Sequence, residues 1–310
     1  MADPASLNPD APEALVATAR SRRLEPVGVA LMVFMHLAAL IGVFLVGVSP
    51  VAVLVAVLTY SLRMFGITGW FHRYFSHRSF KTSRPVQFLF GLITTAAVQR
   101  GPLWWAAHHR DHHAHTDTQA DAHSPKAHGF LWSHIGWFLS PENLVTREER
   151  IQDFSRFPEL RWLDEWDLWI SVGFAVLLWL LGLVLSITAP SLGTSSWQML
   201  VWGFFVSTTL LYHATYCVNS ICHIFGRKRF ETGEDSRNNW FVALITFGEG
   251  WHNNHHKFPR SARQGLRWWE IDLTYYALWV MARLGLIWDL KPPPQDALSH
   301  SISASQGASR

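Results

Sequence analysis

Residues 51–77 read VAVLVAVLTYSLRMFGITGWFHRYFSH, an apolar run that passes directly into a pair of histidines. The run itself, Val51–Phe71, contains few polar side chains. About 20 apolar residues in an α-helix span the hydrocarbon core of a bilayer. The stretch therefore predicts a transmembrane helix whose inner end presents His72 and His77 to the segment that follows.

Three further runs have the same length and the same lack of charge, in a chain of 310 residues that is 49% hydrophobic. We predict an all-α integral membrane protein with transmembrane helices at about 27–48, 51–71, 168–187 and 198–218. The alternative is a soluble α-protein that buries these helices. Four almost uncharged runs of spanning length argue against it, because a soluble domain has too little interior to hide them.

The distribution of Lys and Arg predicts the orientation. Arg20, Arg22 and Arg23 precede the first run, the segments after the second and fourth runs are basic, and the connection Thr188–Trp197 carries no charge. Both termini and both long polar segments are therefore expected in the cytoplasm. The net charge of +3 suits a face beside anionic lipid. Basic residues are not interleaved with aromatic ones, so no nucleic-acid partner is expected.

One domain is predicted between two polar tails. Residues 1–25 are rich in Ala and Pro and residues 291–310 in Pro, Ser and Ala, a composition that favours disorder. The domain then covers 26–290. Its two cytoplasmic stretches, 72–167 and 219–290, are expected to pack together as a helical cap.

Nine histidines fall in four clusters near the cytoplasmic ends of the apolar runs. They are His72, His77, His109, His112, His113, His223, His252, His255 and His256. Neutral imidazole is the commonest protein ligand of transition metals, and nine rings are more than one ion needs. The set contains no thiolate, which favours a pair of redox-active iron ions over structural zinc.

The spacing within the clusters has structural consequences. The boxes at 109–113 and 252–256 place histidines at i, i+3 and i+4, so three rings share one helix face. Asn219 precedes His223 by four residues on the extension of the fourth run. His72 and His77 are five residues apart, about 140° around an ideal helix. They either serve two ions, or the helix breaks between them.

Other polar residues have supporting roles in this interpretation. His36 and His213 lie inside apolar runs, and we expect each to be a hydrogen-bonded core residue. Asp111, Asp117 and Asp121 are expected to accept hydrogen bonds from ligand imidazoles. Aromatic residues near the boxes are candidates for the lining of an apolar tunnel or for plain core packing: Trp70, Trp104, Trp105, Trp240 and Trp251.

The order of these boxes relative to the apolar runs resembles that in the membrane-bound fatty acid desaturases, over roughly residues 27–290. The most specific phrases are Asn-Ser-x-x-His at 219–223 and Phe-Gly-Glu-Gly-Trp-His-Asn-Asn-His-His at 247–256. Both are similar to the Δ9 branch, which comprises stearoyl-CoA desaturases and bacterial acyl-lipid relatives.

The resemblance implies two iron ions held by the nine histidines, with Asn219 acting through water. It also implies a reaction in which O2 and two electrons convert a saturated fatty acyl chain into a cis-Δ9 monounsaturated one. No segment similar to cytochrome b5 is recognisable. A separate electron donor is therefore expected: a ferredoxin, a rubredoxin or cytochrome b5.

The acyl carrier stays open at this point. The animal acyl-CoA enzymes have an Arg-Asp pair directly before the second box, whereas Ala107 and His108 stand here. This departure puts CoA in doubt and leaves a lipid-linked chain or another thioester.

Two other functions compete with desaturation. A membrane di-iron hydroxylase or ketolase would share the boxes but form oxygenated products, and the Gly-Glu-Gly-Trp-His phrase argues against it. A non-catalytic membrane protein with a structural zinc site would need fewer ligands than are present.

Overall fold

The computed structural model describes residues 23–298, and most of them are helical. The α-helices are α1 Pro26–Val46, α2 Pro50–Phe65, α3 Arg84–Thr95, α4 Pro102–His115, α5 Pro125–His128, α6 Gln152–Ser155, α7 Pro158–Glu165, α8 Asp167–Thr188, α9 Ser196–Leu200, α10 Ser207–Ser220, α11 Trp240–Ile245, α12 His252–Lys257 and α13 Leu273–Arg283. Three π-helical segments cover Gly66–Ser76, Trp132–Gly136 and Val201–Val206. Two short strands, β1 Lys81–Thr82 and β2 Ile287–Trp288, pair antiparallel.

Within the described range, three helices have the length and composition of membrane spans. They are Pro26–Val46, Pro50–Ser76 (which combines α2 with the first π-helical segment) and Asp167–Thr188. Their surfaces are strongly apolar where they face outward: Phe44 and Leu45 are each about four-fifths exposed. Such a continuous exposed apolar surface is stable only against lipid or another apolar partner. The protein is therefore associated with a membrane.

The fourth predicted span lies in a helical stretch, 196–220, that combines α9, the π-helical segment Val201–Val206 and α10. It does not meet the same criteria of length and hydropathy. The reason is visible in its contacts: Arg63, buried within the second span, donates to Thr208 Oγ1 at 2.6 Å and to Ser207 Oγ at 2.5 Å. Hydroxyls that satisfy a buried guanidinium make this helix more polar. Four spans thus remain a prediction.

The second span continues into the centre of the cap. Trp70, Phe71 and Phe75 on its π-helical end are fully buried and pack against helices α3 and α7, including Leu160 and Leu163. Trp70 stacks on Phe90 of α3 with ring centroids 4.3 Å apart. The same core includes Leu103 and Ala107 of α4, so it fixes the end of the span relative to a helix that carries other histidines.

The C-terminal boundary at residue 290 needs correction. Lys291 donates its backbone N–H to Ser79 O and accepts from Ala262 N, both at 2.8 Å. Ala297 is buried against Phe230 and Leu266. Residues 291–298 therefore pack on the cap, because their backbone bonds tie two cap segments together. Of the predicted tails 1–25 and 291–310, residues 1–22 and 299–310 lie outside the described residues.

Candidate metal centre

A π-helix aligns the first two histidines. In the segment Gly66–Ser76 each turn holds more residues than in an α-helix, and the N–H of His77 bonds to His72 O, five residues back, at 3.2 Å. The two rings consequently lie on the same side, with centroids 4.9 Å apart. The expectation that they serve two ions, or that the helix breaks between them, was wrong. A change of helix type replaces both alternatives.

Helix α4 carries the second box and begins on a carboxylate. Asp164 accepts the N–H groups of Leu103 and Trp104, each at 2.9 Å, and so caps the helix from α7. Gly101 stands beside it, and a Cβ there would lie 2.5 Å from the Asp164 Cα. The start of α4 is therefore fixed by a contact in which only glycine fits.

The non-ligand residues of the second box tie it to its neighbours. Arg110 donates to Phe75 O at 2.6 Å, and this hydrogen bond joins the second box to the first. Arg110 also pairs with Asp153. Asp111 pairs with Arg147 and Arg150 rather than with a ligand imidazole. Its predicted role as an acceptor for a ligand was wrong, because two guanidiniums occupy its oxygens.

The last box sits on the short helix α12, held by the asparagines between its histidines. Asn253 Oδ1 accepts the N–H groups of Arg229 and Phe230, each at 2.7 Å. Asn254 Nδ2 donates to Gln264 O at 2.9 Å and to Glu270 at 3.0 Å. Each asparagine thus binds a separate loop, which explains why both polar residues are needed in a buried turn.

The nine predicted histidines form two groups, within each of which all ligand nitrogens lie within 4.8 Å of one another. The five-histidine group consists of His72, His77, His109, His113 and His255, and the four-histidine group of His112, His223, His252 and His256. The boxes at 109–113 and 252–256 each contribute to both groups. The expectation that three rings of one box converge is corrected, since adjacent rings on one turn point to different groups.

The distances within each group suit a shared cation. His255 Nε2 lies 3.0 Å from His72 Nε2 and 2.9 Å from His113 Nε2. In the other group, His252 Nε2 lies 3.0 Å from both His223 Nε2 and His256 Nε2. Two metal–nitrogen bonds of about 2.1 Å at a right angle would hold their nitrogens about 3.0 Å apart.

Hydrogen bonding among the rings does not account for this convergence. A neutral ring nitrogen either donates one hydrogen bond or accepts one, so a mutual cluster of such atoms leaves some of them unsatisfied. His112 Nε2 is buried and has no partner, although its other nitrogen is bonded. A metal ligated by that atom would satisfy it. The residues present therefore fit a metal.

Carboxylates orient several of the rings through Nδ1. Asp121 lies 2.9 Å from His112 Nδ1 and Asp117 lies 3.0 Å from His223 Nδ1, as predicted. Sequence reasoning missed Glu249, which lies 2.5 Å from His72 Nδ1, and Glu234, which lies 3.6 Å from His256 Nδ1. Glu249 had a signal: it stands three residues before a ligand, in the Gly-Glu-Gly-Trp-His phrase. These contacts leave Nε2 of each ring for the metal.

With this geometry in place, comparison with known proteins is informative. The family model described as "Fatty acid desaturase" matches residues 48–288, which contain all nine histidines.

The chain belongs to the fatty acid desaturase family.

Several curated relatives cover most of this desaturase. An sn-1 stearoyl-lipid 9-desaturase of Anabaena variabilis is 38% identical over 89% of this chain and 97% of its own length. An sn-2 palmitoyl-lipid 9-desaturase of Nostoc sp. (strain 36) is 37% identical over 76% of this chain and 79% of its own. An acyl-CoA C20 Delta5-desaturase of Anemone leveillei is 39% identical over 75% and 71%. The relatives therefore include both enzymes named for lipid-linked substrates and enzymes named for CoA-linked substrates.

Burial sets the protonation states in the desaturase site. It holds the pKa values of His109, His113, His252, His255 and His256 well below the usual range, which keeps these rings neutral and able to ligate. Burial alone would raise the pKa of Asp117, but the hydrogen bond from His223 lowers it to about 2. Neutral rings and ionised carboxylates are the forms that metal binding requires.

A cavity of about 690 Å³ adjoins both histidine groups. Its lining includes His72 and His109 of the five-histidine group and His112 and His252 of the four-histidine group. Asn219 also lines it. Its walls are predominantly apolar, as an acyl chain requires.

The aromatic tunnel candidates separate into two sets. Trp104 and Trp105 line the cavity. Trp70 lies in the cap core, Trp240 is 70% exposed, and Trp251 donates its indole N–H to Ile271 O at 2.8 Å. For these three the packing or surface interpretation holds, because none of them is among the residues that line the described cavity.

The histidines of the apolar runs bond to one another, as expected of core residues. His36 Nε2 lies 2.9 Å from His213 Nε2, and His213 Nδ1 lies 3.0 Å from His134 Nε2. His134 in turn meets Ser220 Oγ at 2.9 Å. The three rings form a chain rather than a cluster around one point, which distinguishes them from the ligand groups.

Proposed function

We propose that this desaturase introduces a cis-Δ9 double bond into a saturated acyl chain that is linked to a membrane lipid. The observation that carries the proposal is the convergence of nine histidines into two groups, each of which contributes two histidines to the wall of one apolar cavity. The names of the bacterial relatives support the position of the double bond and the lipid carrier. The absence of an Arg-Asp pair at Ala107 and His108 agrees with that carrier.

In this proposal each histidine group binds one iron ion, and Asn219 completes the four-histidine group through a water molecule. Bound iron would supply the redox chemistry with O2 that side chains cannot perform. Glu249, Asp117 and Asp121 hold their imidazoles in the tautomer whose Nε2 faces the ion.

The overall reaction balances with an external reductant. Two hydrogen atoms leave adjacent carbons of the chain, a carbon–carbon double bond forms, and O2 is reduced to two water molecules. The reduction takes two electrons and two protons beyond those supplied by the substrate. Trp104 and Trp105 line the cavity next to the histidines and would hold the chain there while excluding bulk water.

We further propose four membrane spans, with both termini, the cap and the metal centre in the cytoplasm. The three apolar helices and the histidine-bearing ends of the second and fourth runs support this arrangement. The stretch 196–220 would cross as the fourth span, its hydroxyls turned toward Arg63 and away from lipid.

The electrons would come from a separate protein: a ferredoxin, a rubredoxin or cytochrome b5. A basic patch of the cap contains Arg78, whose carbonyl oxygen accepts from Lys291 Nζ at 2.5 Å, and Lys81, which pairs with Asp289. An acidic donor would dock on this patch by charge complementarity.

Expression in a desaturase-deficient host tests the proposal. Fatty acids would be profiled by gas chromatography–mass spectrometry, with double-bond position fixed by derivatisation, beside a His255→Ala control. We expect Δ9-monounsaturated chains with the wild type only. Oxygenated chains in place of unsaturated ones would establish the hydroxylase alternative, and unsaturation that persists in the control would refute the assigned centre.

A further inference from the structure

Two helices that line the cavity begin close together, α4 in the cap and α8 in the third span. Helix α4 runs from the Arg100–Gly101 turn into the cap toward the histidines. Helix α8 runs from Asp167 along the third span. The starting points are linked, since Arg100 Nη1 lies 3.8 Å from Asp167 Oδ2. Both residues line the cavity.

The arm along α4 leads to the metal centre. Trp104, Trp105, His109 and His112 of this helix all line the cavity. From Pro102 to His112 the helix rises about 15 Å. This cap arm is therefore long enough to take a substantial part of one acyl chain from Arg100 to the histidines.

The arm along α8 leads into the membrane. Lining residues on this helix extend from Asp167 to Trp179, a rise of about 18 Å. The facing wall is α1, which contributes Leu31 and Phe34. This membrane arm is apolar over its length and does not include the histidines.

The membrane arm is open along its side. Leu31 and Phe34 of α1 are 46% and 56% exposed although they line the cavity, and Val172 and Val176 of α8 are 42% and 50% exposed. Helix α1 packs chiefly on the π-helical segment Val201–Val206, whereas α8 packs chiefly on α9. The two helices thus pack on different parts of the fourth helical stretch, which leaves room for a lateral gap between them.

A single cation stands where the arms meet. Among the described residues that line the cavity, Arg100 is the only Lys or Arg. Its backbone adopts φ +67°, a conformation that a non-glycine residue keeps only where surrounding structure imposes it. A guanidinium presents paired donors that suit the oxygens of phosphate and ester groups.

We propose that the cavity holds a glycerolipid with two acyl chains, which enters sideways through the gap between α1 and α8. One chain occupies the cap arm and reaches the histidines. The second lies in the membrane arm, and Arg100 binds the ester or headgroup oxygens at the branch point. A single-chain thioester on a soluble carrier would leave the membrane arm without an occupant. The inference rests on the proposed function and on α1 and α8 lying in the bilayer.

Photolabelling tests occupancy without requiring turnover. The full chain in lipid nanodiscs would be irradiated with phosphatidylcholine that bears a diazirine in one chain, and the labelled residues identified by mass spectrometry. We expect labels in both arms, near Trp105 and near Val176. Labels confined to lipid-facing residues outside the cavity, such as Leu183, would overturn the proposal.

Variants that narrow the gap test the entry route. A double variant, Leu31→Trp with Val172→Trp, should reduce both the labelling of the cap arm and the turnover of the lipid, each by about tenfold or more. Leu40→Trp with Val184→Trp, on exposed positions of the same helices outside the cavity, is the matched control. Equal labelling in both variants would refute lateral entry.

Arg100 is tested by substitution and by the carrier. Arg100→Gln should raise KM for the lipid by about tenfold, the effect of losing one charge-assisted contact, with a smaller change in kcat. Arg100→Lys should recover part of that loss. The same acyl chain presented as a CoA thioester should be a poorer substrate than the lipid. The inference would be overturned if the enzyme turned over the thioester faster than the lipid and the gap variants did not change that rate.

Failure of the two proposals can be told apart. Labelling of both arms by protein that forms no double bond from either carrier would sustain the binding site and refute the proposed function. Double bonds formed from the thioester alone, with the membrane arm unlabelled, would sustain the function and refute the binding site.

Discussion

The two histidine groups are built differently although they share two of their boxes. In the four-histidine group, three of the four rings have a carboxylate at Nδ1: Asp121, Asp117 and Glu234. In the five-histidine group, within the described residues, only His72 has such a partner, Glu249. A carboxylate fixes an imidazole and raises its basicity. One group therefore relies on oriented ligands, and the other on a larger number of them.

This comparison shows how one helix turn can serve two centres. His112 and His113 are neighbours on α4, yet their Nε2 atoms belong to different groups. The helix fixes both directions at once, so the separation between the groups is set by α4 and α12 rather than by flexible loops. The following experiments alter one group and keep the other as an internal reference, except for the last, which alters both.

Removal of one ligand from each group should have the largest effect. We expect His112→Ala and His113→Ala each to lower turnover at least about 100-fold, since even the partners of ligands contribute 10–100-fold. Each variant should lose about half of the bound metal, measured by plasma mass spectrometry on purified protein. His115→Ala, one turn further along α4 and outside both groups, is the control. Loss of all metal from either variant would contradict independent groups.

Loss of an orienting carboxylate should have an intermediate effect. Asp121→Asn should weaken metal affinity of the four-histidine group about 10–100-fold and leave the other group unchanged. Competition with a chelator, followed by metal analysis, measures the two affinities separately. An equal change in both groups would show that Asp121 stabilises the cap as a whole and not one site.

Acidification of metal-free protein should affect the neighbouring rings His113 and His112 with opposite sign. The pKa of His113 is lowered by burial, so the unfolded chain binds its proton first and stability falls as pH decreases below about 6.5. Burial opposes protonation of His112 too, but Asp121 outweighs it and raises the pKa, so this ring contributes stability at low pH. Between pH 7.5 and 5.5, His113→Gln should show a shallower loss of thermal stability than wild type and His112→Gln a steeper one. Identical slopes would contradict these assignments.

The smallest effect is expected at the start of α4, which serves both groups. Asp164→Ala removes the acceptor for two backbone N–H groups and should lower the free energy of unfolding by about 1 kcal/mol. Thermal unfolding measures this loss. Both metal affinities should change together, in contrast to the single-group variants, and Glu165→Ala on the adjacent position is the control.

The sequence was sufficient to single out the nine histidines that come together and three apolar helices, because both follow from residue type and run length. It was insufficient for the assignment of ligands to groups. The pairing of His72 with His77 depends on a π-helix. That π-helix is accompanied by tertiary packing of Trp70 and Phe75, which no local sequence pattern indicates. An α-helical period places these rings about 140° apart.

The supporting carboxylates were only partly predictable for the same reason. Asp117 and Asp121 lie close in sequence to the second box, so proximity indicated them. Glu234 reaches His256 from a loop 22 residues earlier, and nothing in its neighbours marks it. Asp111 was the opposite case: it is adjacent to a ligand but faces Arg147 and Arg150, whose positions sequence does not reveal.

Arg73 has a consequence for the synthesis of the protein. This buried guanidinium pairs with Glu249 and Asp272, which lie 176 and 199 residues further along the chain. At 5–20 residues per second, a ribosome needs about 10–35 s to add the first of these partners. The second span is therefore synthesised well before the partners of its buried guanidinium exist. His72 likewise is synthesised 183 residues before His255. Neither histidine group can be complete until residues 255 and 256 have emerged, so any metal that needs a complete group can bind only after the apolar helices have been made.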